Sequence, residues 1–354
     1  MPKFKFFLVL KVPLTALFFI LHLTVQAQTS DMPASPFFQA KQFTPLVNYL
    51  LQSGRIKIRF PMNQPFTAAE LFGELNGQGQ RSAEHFIRAK SRVLGKEIGR
   101  FHNSELDPGT GYWQLGAEAG YRTGNTIDES INQPWAAAHG TYQSQHVVLV
   151  NRTVVDQRFK DDPQFYGDTG EWIFGRSNLA YALFKYKGLQ VFGGRVSRNF
   201  GIYGEPGLIL SDNPYSYDHV GFRYSGKRFR FSFYTARLND AKGFNAQADD
   251  VETVTAKRYF AVQRGDLRLR KNLVVGVNQV AVYGGKDRDF EMFFLNPMNL
   301  YYVAQRNNRS QISGLWAVDV FWKPWKKWTV YGQWLIDDII INNEPGQDDR
   351  AVHP

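Results

Sequence analysis

The chain has 354 residues, among them 29 Phe, 17 Tyr, 8 Trp and 31 Gly, and it contains no cysteine. The absence of cysteine excludes a disulfide scaffold and thiol catalysis. The formal net charge of +10 favours acidic partners such as phospholipid headgroups or acidic glycans. A high aromatic content combined with a mean hydropathy of −0.37 is typical of alternating strands.

The N-terminal residues have the pattern of a cleavable signal peptide. Three lysines flank an apolar run over residues 6–23, and Ala27 provides the small residue that a signal peptidase needs. Pro13 and His22 interrupt this run, which is shorter than the ~20 apolar residues of a spanning helix. Residues 1–27 are therefore predicted to be removed during export, and export argues against nucleic acid as a partner.

Residues 28–105 are predicted to form a small helical module in the periplasm. Residues 45–51 have the pattern of a short amphipathic helix that ends at Gly54, where a left-handed cap costs little. The Thr-Ala-Ala-Glu sequence of residues 67–70 is a capping box that opens a second helix. Ser82 is the predicted N-cap of a third helix.

Residues 106–341 show an apolar period close to two, which predicts strands. The clearest hairpin joins residues 220–224 to residues 229–233, with aromatic residues at alternate positions and arginines between them. An apolar side facing lipid and a polar side facing a lumen explain this alternation. About ten such segments have the length of roughly 10 residues that a tilted transmembrane strand requires.

The predicted fold class is an all-β transmembrane antiparallel barrel with a small N-terminal α-helical periplasmic module. Its predicted location is the bacterial outer membrane, so outer-membrane lipid and the barrel-assembly machinery are expected partners. Residues 342–354 are polar and lack a terminal strand that ends in an aromatic residue. The barrel is therefore expected to be either small or truncated.

Several short stretches carry a family resemblance. They are Gly194-Arg195, Phe200-Gly201, Gly204, Gly207, residues 208–213, residues 294–297, residues 331–338, and the pair Gly54-Arg55-Ile56 and Asn63-Gln64-Pro65-Phe66. In this order they resemble the Wzi-type capsule assembly family over most of residues 45–340. The resemblance implies an outer-membrane barrel with a periplasmic helical bundle, acting as a non-enzymatic lectin that holds capsular polysaccharide at the cell surface. The family barrel has more strands than this sequence shows, and Pro214 stands where the family has small residues.

A polysaccharide binder needs aromatic faces for sugar rings and cations for acidic groups. The candidate carbohydrate-binding residues are Arg195, Arg198, Tyr217, Arg223, Arg228, Arg230, Arg268 and Arg270. Several of these arginines alternate along strands and are predicted to point into the lumen. The alternative is that lumen arginines pair with internal carboxylates and fill the barrel.

Other chemistry is less well supported by the sequence. Asp287, Asp289 and Glu291 alternate along one side and are candidates for binding a cation. No nucleophile elbow and no zinc-binding His-Glu-x-x-His motif occurs. We therefore expect a non-enzymatic protein that needs no cofactor and binds acidic capsular polysaccharide. The alternatives are a porin-like channel for anionic solutes and an envelope enzyme acting on glycans.

Overall fold

A computed structural model of the chain shows an antiparallel sheet of eleven strands in which each strand pairs with the next in sequence. The structure describes residues 34–38, 41–71, 110–125, 130–165, 167, 174–242, 255–286, 288–307, 312–325 and 328–337. The predicted signal peptide, the third helix of the N-terminal module and residues 342–354 lie outside these ranges. Within them, no helix has the length and apolar composition needed to cross a bilayer.

The strands are β1 Gly111–Asn125, β2 Ser130–Ser144, β3 Val147–Asp156, β4 Gly175–Tyr186, β5 Leu189–Val196, β6 Tyr217–Ser225, β7 Phe229–Lys242, β8 Thr255–Arg270, β9 Leu273–Gly285, β10 Ile312–Trp322 and β11 Val330–Asp337. The α-helices that lie wholly within the described residues are α1 Thr44–Gln52 and α2 Tyr301–Asn307. Short 3-10 helices occupy Lys41–Phe43, Gln157–Lys160 and Met292–Leu295. The prediction of many antiparallel strands is confirmed.

The predicted hairpins are present with the expected alternation. In the β6–β7 hairpin, Phe222 lies opposite Phe233 and Tyr224 lies opposite Phe231. The connections after β2, β4, β6, β8 and β10 are short. They all lie at the same end of the strands, and we call this end of the sheet the short-turn edge. The longer connections after β3, β5, β7 and β9 lie at the opposite edge, which we call the long-loop edge.

The described N-terminal residues pack against one side of the sheet, which we call the inner face. Phe37 contacts Tyr181 of β4 and Phe192 of β5, with ring centroids 5.3 and 5.9 Å apart. Further along the segment, the Asn63 side chain donates a hydrogen bond to Asp266 of β8 at 2.7 Å. The predicted N-terminal module therefore contacts the strands directly over the part that the structure describes.

The opposite side, the outer face, exposes large apolar side chains. Leu115 of β1 is 77% exposed and Val220 of β6 is 52% exposed. Exposed apolar surface of this kind is typical of sites that contact another protein or a membrane. Near the long-loop edge the β9–β10 connection covers part of it, since Phe294 stacks on Tyr283 with ring centroids 4.0 Å apart.

The predicted first helix is confirmed as α1. Gly54 follows it with φ of +72°, a conformation in which glycine carries no steric penalty. The Lys323 ammonium donates to the carbonyls of Leu51 and Gln52, and the Thr329 hydroxyl also donates to Gln52. The last carbonyls of α1 are therefore capped by the β10–β11 turn.

The predicted capping box is also confirmed. The Thr67 N–H donates to the Glu70 carboxylate at 2.8 Å, and the Glu70 N–H donates to the Thr67 hydroxyl at 3.2 Å. Residues 68–71 are helical, and the residues that follow lie outside the described part of the chain. The box fixes the position of Glu70, whose carboxylate faces the sheet.

Replacing Gly194 with alanine is expected to lower the free energy of unfolding by about 1–3 kcal/mol. Gly194 has φ of +128°, and a Cβ there would collide with the carbonyl oxygen of Ala180 on the neighbouring strand. The matched control is Gly193→Ala, because its Cβ would meet only Val220 at 3.8 Å. Urea unfolding followed by tryptophan fluorescence measures both changes, and equal effects would contradict the strain at Gly194.

Candidate functional site

Two of the predicted binding arginines are buried on the inner face and contact the N-terminal segment. Arg223 of β6 donates to the Pro65 carbonyl and to the Asn63 side-chain oxygen, at 3.3 to 3.4 Å. Arg230 of β7 forms a 2.5 Å ion pair with Glu70. The prediction that they point to the polar side of the sheet is correct, but their partner is the chain's own N-terminal segment.

Glu70 is held strongly in its charged form. Burial alone would raise the pKa of this carboxyl, but Arg230 and Arg223 outweigh burial and lower the pKa to about 2. The capping hydrogen bond from Thr67 acts in the same direction. The Glu70–Arg230 pair is therefore an electrostatic link between the N-terminal segment and the sheet.

A second link is centred on Arg264 of β8, which is fully buried. Its guanidinium pairs with Asp266 at 2.5 Å and with Asp319 of β10 at 2.6 Å. Arg264 also donates to Asn278 of β9, and Asp266 accepts from Asn63 of the N-terminal segment. Three strands and the segment thus share one network, which sequence analysis did not identify.

Arg198 follows β5 and is packed within the inner face. Its Nε atom donates to His219 at 2.6 Å, and its guanidinium lies 3.6 Å from the ring centroid of Tyr234. The Phe192 ring lies on the same guanidinium at 4.6 Å. Because Arg198 is only 1% exposed, its side chain packs in the interior and does not present its charge to solvent.

The long-loop edge carries a different cluster, which we call the rim platform and define as Phe159, Asp162, Phe165, Arg176, Arg195, Tyr215 and Asp218. Phe159 stacks on Phe165, with centroids 4.7 Å apart and ring planes within 2° of parallel. The Arg176 guanidinium lies 4.6 Å above the Tyr215 ring, a cation–π arrangement. Two loops, the β3–β4 and β5–β6 connections, therefore bring aromatic rings to the ends of β4 and β5, where Arg176 and Arg195 lie.

The Tyr215 hydroxyl ties the two loops of the rim platform together. It donates to the Asp162 carboxylate. This hydrogen bond lowers the pKa of Asp162, while burial and the same carboxylate raise the pKa of Tyr215 to about 12. At neutral pH the pair is therefore a neutral phenol hydrogen-bonded to a carboxylate.

Arg195 supplies an accessible cation to the rim platform. It pairs with Asp218 of β6, and its Nε atom donates to the carboxylate at 2.9 Å. Asp218 is 63% exposed, so this ion pair is weak and open to competition. In the β5–β6 register Arg195 pairs with Asp218, whereas His219, on the same face as Arg223, pairs with Gly194. The Arg195 side chain therefore lies on the outer face, near the end of the strand. Arg195 thus does not share the inner face with Arg223.

The other predicted residues do not join this platform. Tyr217 packs edge-on against Phe260 at 5.4 Å, next to the platform but turned toward the inner face. Arg228 and Arg270 are exposed at the short-turn edge, and Arg268 donates to the Lys271 carbonyl there. The eight candidates are thus divided among the inner face and the two edges, so they cannot form one binding site.

The candidate cation-binding carboxylates are engaged with cations of the chain. Asp289 pairs with Lys257 at 2.6 Å, and Glu291 pairs with Arg288 at 2.5 Å. Asp287 lies outside the described residues. In the described ranges there is no cluster of three or more histidine, cysteine or acidic residues that could hold a metal ion.

Sequence reasoning missed Arg176 and the Phe159–Phe165 stack. The register between β3 and β4 shifts at Arg152 and Thr153, so alternation does not predict the direction of side chains beyond that point. Phe159 and Phe165 lie in a stretch that reads as a polar loop. Aromatic residues within polar loops are the signal that could have identified the platform.

Comparison of the chain with protein-family models, curated proteins and solved structures finds no significant match in any of the three.

Proposed function

We propose that the protein is a non-enzymatic outer-membrane barrel that binds acidic polysaccharide at the cell surface. The apolar outer face supports membrane insertion, because lipid is the neighbour that such a surface requires. Leu115, Val220 and Leu269 are exposed to between 52% and 77% on this face. The order of motifs that resembles the capsule assembly family is consistent with the same location and role.

The inner face favours a binding role over an open channel. The N-terminal segment covers this face and is fixed there by Glu70–Arg230 and by Asn63–Asp266. Arg223, Arg230 and Arg264 are at most 4% exposed. The arginines that would attract anionic solutes into a pore are therefore already neutralised or covered by the chain itself.

The rim platform is the observation that carries the assignment of polysaccharide binding. Sugar rings pack on aromatic faces, and uronate carboxylates bind guanidinium groups through paired hydrogen bonds. Phe165 and Tyr215 provide rings from the two loops, while Arg176 and Arg195 provide guanidinium groups from the adjoining ends of β4 and β5. A uronate would replace the exposed Asp218 carboxylate on Arg195 and so gain a charge-assisted contact.

The double variant Arg176→Gln/Arg195→Gln is expected to bind alginate, a polyuronate, at least about tenfold more weakly than the parent chain. The full chain in detergent micelles is titrated with alginate and, separately, with neutral dextran. Asp218→Asn should strengthen alginate binding, because it removes the carboxylate that competes for Arg195.

The matched control for this experiment is Arg228→Gln/Arg270→Gln, which removes two exposed arginines from the opposite edge. It should bind alginate as the parent chain does. The proposal fails if the parent chain does not bind alginate. It also fails if the two double variants lose affinity equally, since that result would indicate binding by overall charge.

A further inference from the structure

The five short turns share an unusual charge pattern. Their sequences are Gln-His at 145–146, Lys-Gly at 187–188, Gly-Lys-Arg at 226–228, Lys-Asn at 271–272 and Lys-Pro-Trp-Lys-Lys-Trp-Thr at 323–329. Four of the five contain lysine or arginine, and none contains aspartate or glutamate. Antiparallel order places all five turns along one edge of the sheet, so the charges form a single basic row.

Five cations of this row face solvent, whereas Lys323 is engaged with the end of α1, and Lys326 and Lys327 lie outside the described residues. Lys187, Lys227, Arg228, Arg270 and Lys271 are all exposed. On the inner side the nearby acidic groups Asp266 and Asp319 are buried and paired with Arg264. The row therefore keeps its positive charge available to an external partner.

Aromatic side chains accompany the basic row. Trp325 and Trp328 in the last turn are 69% and 64% exposed, and Tyr186 and Trp322 at the adjoining strand ends are 52% and 42% exposed. The Lys187 ammonium lies 5.3 Å from the Tyr186 ring. Tryptophan and tyrosine beside lysine and arginine are typical of the level of lipid headgroups at a membrane surface.

The opposite edge differs in charge. There, acidic and basic groups are interspersed and paired, as in Arg158–Asp156, Arg195–Asp218 and Lys257–Asp289. A generally basic surface would show positive charge at both edges. The asymmetry instead indicates a partner that is anionic and located at the short-turn edge alone.

We propose that the short-turn edge binds the headgroups of anionic phospholipids in the membrane leaflet that it faces. This inference rests on the proposed membrane insertion, because only an inserted sheet places its turns at the headgroup level. The lysines and arginines contact the phosphates, and the tryptophans lie at the boundary between headgroups and acyl chains. The exposed outer-face residues Leu267 and Leu269, next to the β8–β9 turn, continue the contact into the acyl region.

The test measures lipid preference by quenching of tryptophan fluorescence. The full chain is reconstituted in phosphatidylcholine vesicles that contain a minor fraction of phosphatidylglycerol, with bromine on either one lipid or the other. The association constant for phosphatidylglycerol is expected to exceed that for phosphatidylcholine about fivefold per basic contact. High salt should reduce this preference, because the contacts are exposed to solvent.

Two matched variants locate the effect. The test variant Lys187→Gln/Lys227→Gln/Arg228→Gln/Arg270→Gln/Lys271→Gln should lower the preference at least about fivefold. The control variant Lys160→Gln/Arg237→Gln/Lys257→Gln/Arg258→Gln/Lys286→Gln removes three lysines and two arginines near the long-loop edge. The control should keep the preference of the parent chain.

Protease protection in the same vesicles separates the two proposals. If the chain does not insert, the proposed membrane barrel fails and the lipid site fails with it. If it inserts but quenching shows no preference, or both variants lose it equally, the lipid site is overturned and the barrel stands. If alginate abolishes the preference in the parent chain, the edge binds acidic polymer, and the assignment to phospholipid is overturned.

Discussion

Replacing Asp319 with alanine is expected to lower the free energy of unfolding by about 3 kcal/mol. The substitution leaves the fully buried Arg264 with Asp266 as its single carboxylate partner. It also removes the acceptor of the Asn278 amide, which donates to Asp319 at 2.9 Å. A buried cation that loses a counter-charge retains its desolvation cost, so the loss exceeds that of an ordinary hydrogen bond.

The measurement is urea unfolding in detergent micelles, followed by tryptophan fluorescence. The control is Glu118→Ala, which breaks the exposed pair with Arg152 and should change the free energy of unfolding by less than about 1 kcal/mol. Similar losses in the two variants would show that the Arg264 network contributes no more to stability than an exposed ion pair does. Gly276→Ala should reproduce part of the effect, because its Cβ would lie 2.5 Å from Arg264 and Asp319 atoms.

Acidification from about pH 5 to about pH 2 is expected to remove about 3 kcal/mol of stability through Glu70 alone. The pKa of this carboxyl falls from 4.5 to about 2 on folding, mainly because Arg230 and Arg223 outweigh the effect of burial. A carboxyl whose pKa is lowered on folding stabilises the protein at pH values above its unfolded-state pKa. This stabilisation is lost as the pH falls through the folded-state pKa. Stability should therefore decrease toward acid, not toward base.

The variant Glu70→Gln isolates this contribution. It should be less stable than the parent chain at pH 7, and the difference between the two should shrink as the pH falls to about 2. Other carboxylates titrate in the same range, so the informative quantity is the difference between parent and variant at each pH. An offset between Glu70→Gln and the parent chain that stays constant from pH 7 to about pH 2 would contradict the assignment.

The hairpins could be predicted from the sequence because alternation and turn composition are local properties. Phe222, Arg223 and Tyr224 alternate around a turn that contains Gly226, and the β6–β7 hairpin follows that pattern. The helix end at Gly54 and the capping box at residues 67–70 are equally local, and both are confirmed. Elements whose signals lie within about ten residues were thus predictable.

The candidate site was only partly predictable, because its contacts are not local. Alternation correctly placed Arg223 and Arg230 on the polar side, but it contains no information about what lies opposite them. The side on which Arg195 lies could not be read from the sequence, since a strand pattern shows alternation without fixing its phase relative to the next strand. The direction of the Arg176 side chain depends on a register shift between β3 and β4 that the sequence does not reveal.

The cap on α1 links the two ends of the described chain. Lys323 reaches the Leu51 carbonyl across 272 residues of sequence, and Thr329 reaches Gln52 across 277. In the sequence, these hydrogen-bond partners follow ten of the eleven strands in the described part of the chain. Contacts of such long range form slowly. The cap of α1 therefore depends on the β10–β11 turn, and a chain that lacks this turn would carry the N-terminal segment without its cap.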